Sequence, residues 1–478
     1  MQTITNYING IQEIPESKNY IENFNPSTGA AYSLIPDSDE RDVAKAYEAA
    51  SNAFDNWSVT SAEQKFKILN RIAEHIDERN DELALAESID QGKPLWLAKT
   101  EITRAAQNFR FFATAAMQFS SESHSMENHA INYTLKTPIG VVACISPWNL
   151  PLYLFTWKIA PALATGNCVI AKPSEITPMT AFLLGQICKD AGLPKGVLNI
   201  VHGLGPKVGS AMVSHPNIKA ISFTGGTATG KHIASVAAPL FKKLSLELGG
   251  KNPNIVFADC DFEKAVQTSV RSSFLNQGEI CLCGSRILVE KSIYDRFKDA
   301  FVAEVKKQMV GDPLAEGTMI GSIVSKQHFD KILGYIELAK QEGGVLLCGG
   351  EVIKPHGLEN GWYISPAVIE NLDAHARCNQ EEIFGPVVSI ASFETEDEAL
   401  VLANNTQYGL SSTIWTNNLT KAHRVASKIK TGIVWVNCWL LRDLRTPFGG
   451  MNQSGVGREG GWNAMNFFTE MKNVCIKL

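Results

Sequence analysis

Three short stretches carry residues able to do covalent chemistry together. In FLNQGEICLCGSR (274–286), Cys281 follows Asn276, Gln277, Gly278, Glu279 and Ile280 at the expected end of a helix. A thiolate at such a place is a nucleophile for an electron-poor carbon. In LSLELGGKNP (244–253), Glu247 sits in an apolar strand pattern just before Gly249 and Gly250. A carboxyl in apolar surroundings holds its proton to higher pH and can serve as a general base. In ISPWNLPL (145–152), Asn149 lies in a turn fixed by proline, where its amide can donate to an oxyanion. Each of the three also has a plain structural reading: an inert buried thiol, a strand-end glutamate in an ion pair, and a turn residue.

The elements that must position these groups alternate along most of the chain. GVVACIS (140–146), VLNIVHG (197–203), AISFTGG (220–226), NIVFADC (254–260) and RILVEKS (286–292) read as buried strands. TAFLLGQICKDAG (180–192) reads as a helix closed by Gly192, another helix starts near Thr229, Asp261 caps a third, and 294–309 gives a fourth. Such strand–helix alternation predicts α/β layers with mostly parallel sheet. The polar segment 120–136 interrupts the pattern, and the tail 467–478 alternates like a strand without an obvious partner.

Composition narrows the class. The chain has 478 residues, 45% hydrophobic and 19% charged, which excludes general disorder and leaves room for about three domains or two large ones. Its net charge of −5 argues against a nucleic-acid binder. Ten cysteines are scattered without a CxxC pair, which fits a reducing compartment better than a disulfide framework. MQTITNYING has neither a basic start nor an apolar run, and no stretch reaches about 18 apolar residues. A cytoplasmic protein without membrane contact is therefore expected.

Three glycine patterns point elsewhere and fail on inspection. Gly225 to Lys231 has phosphate-loop spacing, but His232 stands where a Ser or Thr must hold magnesium. Gly455-Val456-Gly457-Arg458-Glu459-Gly460 spells GxGxxG too close to the C-terminus for a complete βαβ unit, and reads as a flexible loop. Gly203, Gly205 and Gly209 are spaced one residue too wide. The histidines and carboxylates show no metal-ligand spacing, so no metal is expected.

Jointly, the motifs are specific. PWN (147–149), WKIAPALATGN (157–167), KPSE (172–175), FTGGTATG (223–230), LELGGKNP (246–253), NQGEIC (276–281), EEIFGPV (381–387) and PFGGMNQSGVGRE (447–459) stand in one order. The chain thereby resembles the aldehyde dehydrogenase superfamily over essentially its whole length, including the 34 positions between Glu247 and Cys281. The resemblance implies an α/β fold: a doubly wound NAD-binding domain (1–118 and 138–248), an α/β catalytic domain (249–448) and a small bridging, oligomerisation sheet (119–137 and 460–478). A homodimer or homotetramer follows from it. It implies NAD-dependent oxidation of an aldehyde to an acid. Cys281 would be the nucleophile, Asn149 and the Cys281 N–H the oxyanion donors, and Glu247 the base. Lys158 and Glu459 would connect that base to solvent, with Arg458 and Glu470 as structural ion-pair members.

For the cofactor the resemblance points to Ser146, Pro147, Trp148, Lys172, Ser174, Glu175, Thr224, Gly225, Gly226, Gly230, Glu382 and Phe384. Glu175 at the adenosine ribose would repel a 2′-phosphate, favouring NAD over NADP. Gly226 replaces a common Ser of the family and removes one hydroxyl contact.

For the substrate, EICLCGSR, NCWLLRDL and RAAQNFRFF resemble the 2-aminomuconic and 2-hydroxymuconic semialdehyde dehydrogenase branch. Arg104 and Arg442 match positions that clamp a substrate carboxylate, with Arg110, Arg445 and Phe448 nearby. A planar guanidinium suits a carboxylate, whereas an apolar tunnel rejects one. The expected substrate is a small unsaturated semialdehyde bearing a carboxylate. Betaine aldehyde or an aliphatic aldehyde is the alternative within the superfamily; an acylating CoA-dependent enzyme and a catalytically silent NAD-binding structural protein are the others.

Overall fold

A computed structural model describes residues 1–478. Five parallel strands form the centre of its largest sheet, in the order Lys243–Glu247, Ala220–Thr224, Val141–Ile145, Cys168–Lys172 and Leu198–Ile200. Their side chains are almost wholly buried, as continuous apolar runs packed on both faces require. Chain order reverses between Val141–Ile145 and Ala220–Thr224, so a crevice opens beyond the carboxyl ends of those two strands. The turn holding Asn149 leaves the first strand, and Gly225-Gly226 leaves the second.

A second sheet has six parallel strands, with Asn252–Val256 beside Gly284–Glu290 near its centre. Cys281 lies in the connection from the helix Phe262–Phe274 to Gly284–Glu290. Ile280, Leu282 and Cys283 of that connection pack into the same apolar core as the first sheet, with Trp439 and Phe448. The reactive segment is thus clamped between the two layers.

The expected strands and helices are present with ends moved by a few residues, such as Met179–Asp190 with Gly192 left-handed after it, and Tyr294–Val305. The Asp261 side chain accepts from Lys264 N at 3.3 Å and caps its helix as expected. Two differences stand out. The tail does have a partner: Thr469–Lys477 pairs antiparallel with Ala130–Pro138, which in turn pairs with Ser123–Met126. That pairing spans more than 300 positions, beyond any local signal. Secondly, Gly455–Val456 is an edge strand against Leu246–Glu247 rather than a flexible loop. Gly455 makes this approach possible, since a Cβ there would stand 2.0 Å from the Leu246 carbonyl oxygen. No helix is long and apolar enough to cross a membrane.

The turn before Cys281 is the most constrained backbone of the region. Asn276, Gln277 and Gly278 are consecutively left-handed, with φ of 53°, 56° and 74°. Two non-glycine residues persist there because their side chains are tied down. Asn276 Nδ2 donates to the Asn149 carbonyl at 3.1 Å, and Gln277 Nε2 to the Ser322 carbonyl at 3.1 Å. At Gly278 a Cβ would also meet the Gly385 carbonyl oxygen at 2.2 Å. Gly278→Ala should therefore cost more than about 1 kcal/mol, from its φ alone. The expected result is a lower thermal midpoint and slower modification of Cys281 by a thiol reagent; an unchanged midpoint would refute the packing argument.

Candidate active site

A cleft of about 240 Å³ is lined by Cys281, Asn149, Gly225, Gly226, Glu382 and Phe384 among others, and so joins both sheets. Cys281 is partly open to it. Its carbonyl accepts from Asn252 Nδ2 at 2.7 Å, which fixes the backbone, and its own N–H has no protein acceptor. Burial pushes the thiol well above its ordinary range, the charges of Glu382, Glu247 and Cys283 add to this, and Arg442 opposes them. The thiol therefore rests neutral and needs a proton acceptor to become a nucleophile.

Asn149 is held from three sides. Its Nδ2 donates to the Glu279 carbonyl at 2.8 Å, leaving the second amide hydrogen unspent. Its carbonyl accepts from Asn276 Nδ2 and, at 3.0 Å, from the ammonium of Lys93. Lys93 is fully buried between Glu87, at 3.2 Å, and Glu101, to which it also donates. Glu87 in turn accepts from Leu152 N at 3.1 Å, near the start of the helix Pro151–Ala164. A buried charge triad with every member bonded fixes geometry even where its net energy is small.

Glu247 is 3% exposed, and neither carboxylate oxygen has a hydrogen-bond partner. Burial, then repulsion from Glu459, raises its pKa well above the usual carboxylate range, while Lys158, Arg458 and Arg442 pull the other way. The carboxyl reaches under the 449–450 turn; a Cβ at Gly449 would lie 2.6 Å from its Oε1. Beside it Lys158 Nζ contacts Glu459 Oε1 at 2.6 Å and Ser222 Oγ at 3.2 Å, and Ser222 Oγ donates to Glu459 Oε1 at 3.1 Å. This closed triangle ties the helix Pro151–Ala164 and the strand Ala220–Thr224 to the segment 457–460. Glu470 pairs with Lys243, but Arg458 makes no ion pair and spends its guanidinium on the carbonyls of Gly450 and Gly457. The expected ion-pair role of Arg458 is corrected accordingly.

The cleft fits a dinucleotide. The helix Thr227–Ala237 starts at Gly226 without a side-chain cap, so its first N–H groups face the cleft unspent, and a Cβ at Gly226 would meet nothing. Thr224 Oγ1 and Ser146 Oγ are buried without partners. Lys172 Nζ bonds Glu175 Oε2 at 3.0 Å; although burial raises that carboxyl, the ammonium holds it below its ordinary value. Ser174 is spent on Ile176 N at 3.2 Å. Glu382 accepts from Gly250 N at 3.0 Å. Phe384, at φ 62°, is held by His328, whose Nε2 donates to its carbonyl at 2.6 Å, and Trp148 packs edge-on against both rings. Pro147 lines the same cleft. Gly230 is different: a Cβ there would stand 2.5 Å from Leu248 Cδ2, so this glycine serves helix packing rather than the cleft.

The arginines divide. Arg104 lies 4.0 Å over the Tyr153 ring, Arg442 Nη1 donates to Tyr153 Oη at 2.8 Å, and Arg442 also stacks 4.1 Å from the Phe448 ring. Neither forms an ion pair with a carboxylate. Arg445 is corrected: it is exposed and held bidentate by Asp443, at 2.6 and 3.0 Å. Arg110 is likewise taken by Asp77. Sequence reading missed Lys93, Tyr153, Ser222 and His328. None stands in a motif that announces chemistry; only their long-range partners do. The one available signal was Asp443, two residues before Arg445 and able to neutralise it.

Comparison with known proteins agrees with this geometry. The model of the aldehyde dehydrogenase family matches residues 14–474. A 2-aminomuconic semialdehyde dehydrogenase of Danio rerio is 49% identical over 99% of this chain and 98% of its own. A 2-hydroxymuconic semialdehyde dehydrogenase of Pseudomonas is 44% identical over the full length of both. Among solved structures, the NAD+ complex of an aldehyde dehydrogenase from Bacillus cereus superposes with a TM-score of 0.97 at 36% identity, covering 100% of this chain and 97% of that one. With the family model spanning nearly every residue and full-length relatives well above 30% identity, the chain belongs to the aldehyde dehydrogenase family.

Proposed function

We propose that this protein oxidises a carboxylate-bearing semialdehyde to the corresponding diacid with NAD, and that the muconic 6-semialdehydes are its substrate class. The observation that carries the substrate reading is the pair Arg104 and Arg442, two guanidiniums gathered on one tyrosine without a protein carboxylate to neutralise them. A remote carboxylate bound there gains charge-assisted hydrogen bonds and holds the aldehyde end toward Cys281. The names of the full-length relatives support the same class. A quaternary ammonium aldehyde would meet these cations unfavourably.

Bound NAD supplies the acceptor for the aldehydic hydrogen and its electron pair. The chain's own residues do the rest. Cys281 loses its proton through water to solvent, and the thiolate attacks the carbonyl carbon, forming a thiohemiacetal. The free amide hydrogen of Asn149 and the N–H of Cys281 bind the oxygen as it becomes negative, each worth about 3 kcal/mol in the transition state. Once the hydrogen and its electrons are gone, a thioester remains on Cys281. Glu247 takes a proton from the water that attacks this thioester, the acid leaves, and the sulfur is restored. Lys158, Ser222 and Glu459 carry the proton onward from Glu247. Glu175 disfavours a 2′-phosphate by repulsion. The domain roles of the two large sheets, the bridging role of the sheet formed by 123–138 and 469–477, assembly as a dimer or tetramer, and a cytoplasmic location complete the reading.

Five outcomes test it. Cys281→Ala should abolish NADH formation with every aldehyde. Glu247→Gln should slow thioester hydrolysis by about 10²- to 10⁴-fold, leaving a rapid burst of NADH followed by slow turnover. In the parent protein that hydrolysis should rise with pH through a value above the usual carboxylate range, because only the ionised form is a base. The same shift has a stability sign. A carboxyl whose folded-state pKa is raised contributes fully below its unfolded value and loses that contribution as pH climbs through the raised one. Glu247→Gln should therefore be at least as heat-stable as the parent at pH 8. For the substrate, Arg104→Ala and Arg442→Ala should each lower kcat/KM for 6-oxohexanoate at least about tenfold relative to hexanal; equal losses on both aldehydes would remove the carboxylate clamp.

A further inference from the structure

We propose that Tyr153 is a specificity-determining residue that positions the two arginines, its hydroxyl setting Arg442 and its ring setting Arg104. This rests on the carboxylate reading above and adds to it the element that makes two separate side chains into one site.

Tyr153 stands on the helix Pro151–Ala164, four residues past Asn149, and is 1% exposed. Its main chain is anchored independently of its ring. The carbonyl accepts from Asn108 Nδ2 at 3.0 Å and from Thr156 Oγ1 at 3.1 Å. Asn108 belongs to the helix Leu95–Met117, one turn beyond Arg104. The ring stacks on Trp157, with centroids 6.3 Å apart and planes at 25°. It is therefore a fixed plate rather than a mobile side chain.

Both guanidiniums are referenced to that plate. Arg104 comes from the long helix and places its guanidinium carbon 4.0 Å from the ring centroid, a cation–π contact that a leucine cannot give. Arg442 comes from the 437–450 segment, far away in sequence, and bonds the phenol oxygen. Neither arginine has an ion pair to aim it; Phe448 and Trp157 offer Arg442 only ring faces, and the Tyr153 hydroxyl supplies its one directional hydrogen bond. The phenol oxygen accepts from Arg442 at 2.8 Å and so gives that guanidinium one fixed direction.

The test is a double-mutant cycle read on two aldehydes of equal length, 6-oxohexanoate and hexanal. Tyr153→Phe keeps the ring and removes the hydroxyl. Its expected effect is a fall of about tenfold in the ratio of kcat/KM for 6-oxohexanoate over hexanal, mostly through KM. Because the hydroxyl acts through Arg442, Tyr153→Phe should cause little further fall in an Arg442→Ala background. Tyr153→Leu removes the ring as well and should lower the ratio further in the Arg442→Ala background, through Arg104. If Arg442→Ala lowers the ratio but Tyr153→Phe does not, or if their effects simply multiply, the proposal for Tyr153 is overturned while the carboxylate reading stands. Equal losses on both aldehydes from Tyr153→Phe would make it a structural residue and overturn the proposal too. An unchanged ratio in Arg442→Ala and Arg104→Ala would instead sink the carboxylate reading beneath it.

Discussion

Desolvation of two acids, the thiol of Cys281 and the carboxyl of Glu247, governs this site. Cys281 and Glu247 are both pushed toward their neutral forms chiefly by burial, and the carboxylate of Glu382 further resists ionisation of the thiol. A pocket that kept both ionised at rest would need cations against each. Here the positive groups that favour ionisation are Arg442 and Arg458, bonded to a phenol and to backbone carbonyls, and Lys158, which is already bonded to Glu459. The consequence is an order of events. Charge appears on sulfur only when something takes its proton, and Glu247 can accept a proton from water only in its ionised form.

Rigidity around the oxyanion position is the second requirement, and it comes from unusual backbone and a buried charge cluster. Three left-handed residues in a row turn the chain into Cys281, and their side chains reach the Asn149 loop and the Ser322 carbonyl. Lys93 closes the cradle from the far side. The desolvated ammonium and its two glutamates contribute less to net stability than to a single geometry. Strain in one element is thus offset by bonds drawn from two others.

Much of this was legible in the sequence because it is local. The strands are apolar runs, the helix caps follow side-chain rules, and Cys281, Glu247 and Asn149 sit in recognisable motifs. What escaped is non-local. The partner of the tail strand lies more than 300 positions away, so residue pattern alone could not name it, and only the family resemblance grouped 119–137 with 460–478. Ser222 looks like any strand serine until Lys158 and Glu459 arrive beside it. Tyr153 and Trp157 lie one helical turn apart, and nothing in their spacing says that Arg104 and Arg442 will meet there. Arg445 illustrates the opposite error: its type suggested a clamp, but its neighbour Asp443 already satisfies it.

The cradle of Asn149 also sets when this chain can become competent. It needs Lys93, Glu101, Asn276 and Glu279, gathered from stretches that leave the ribosome well apart in time. A nascent polypeptide shorter than Glu279 has no means of closing it. The sulfur at 281 emerges just after the last of these groups, so a chain long enough to expose that thiol already carries every piece of the cradle that restrains it.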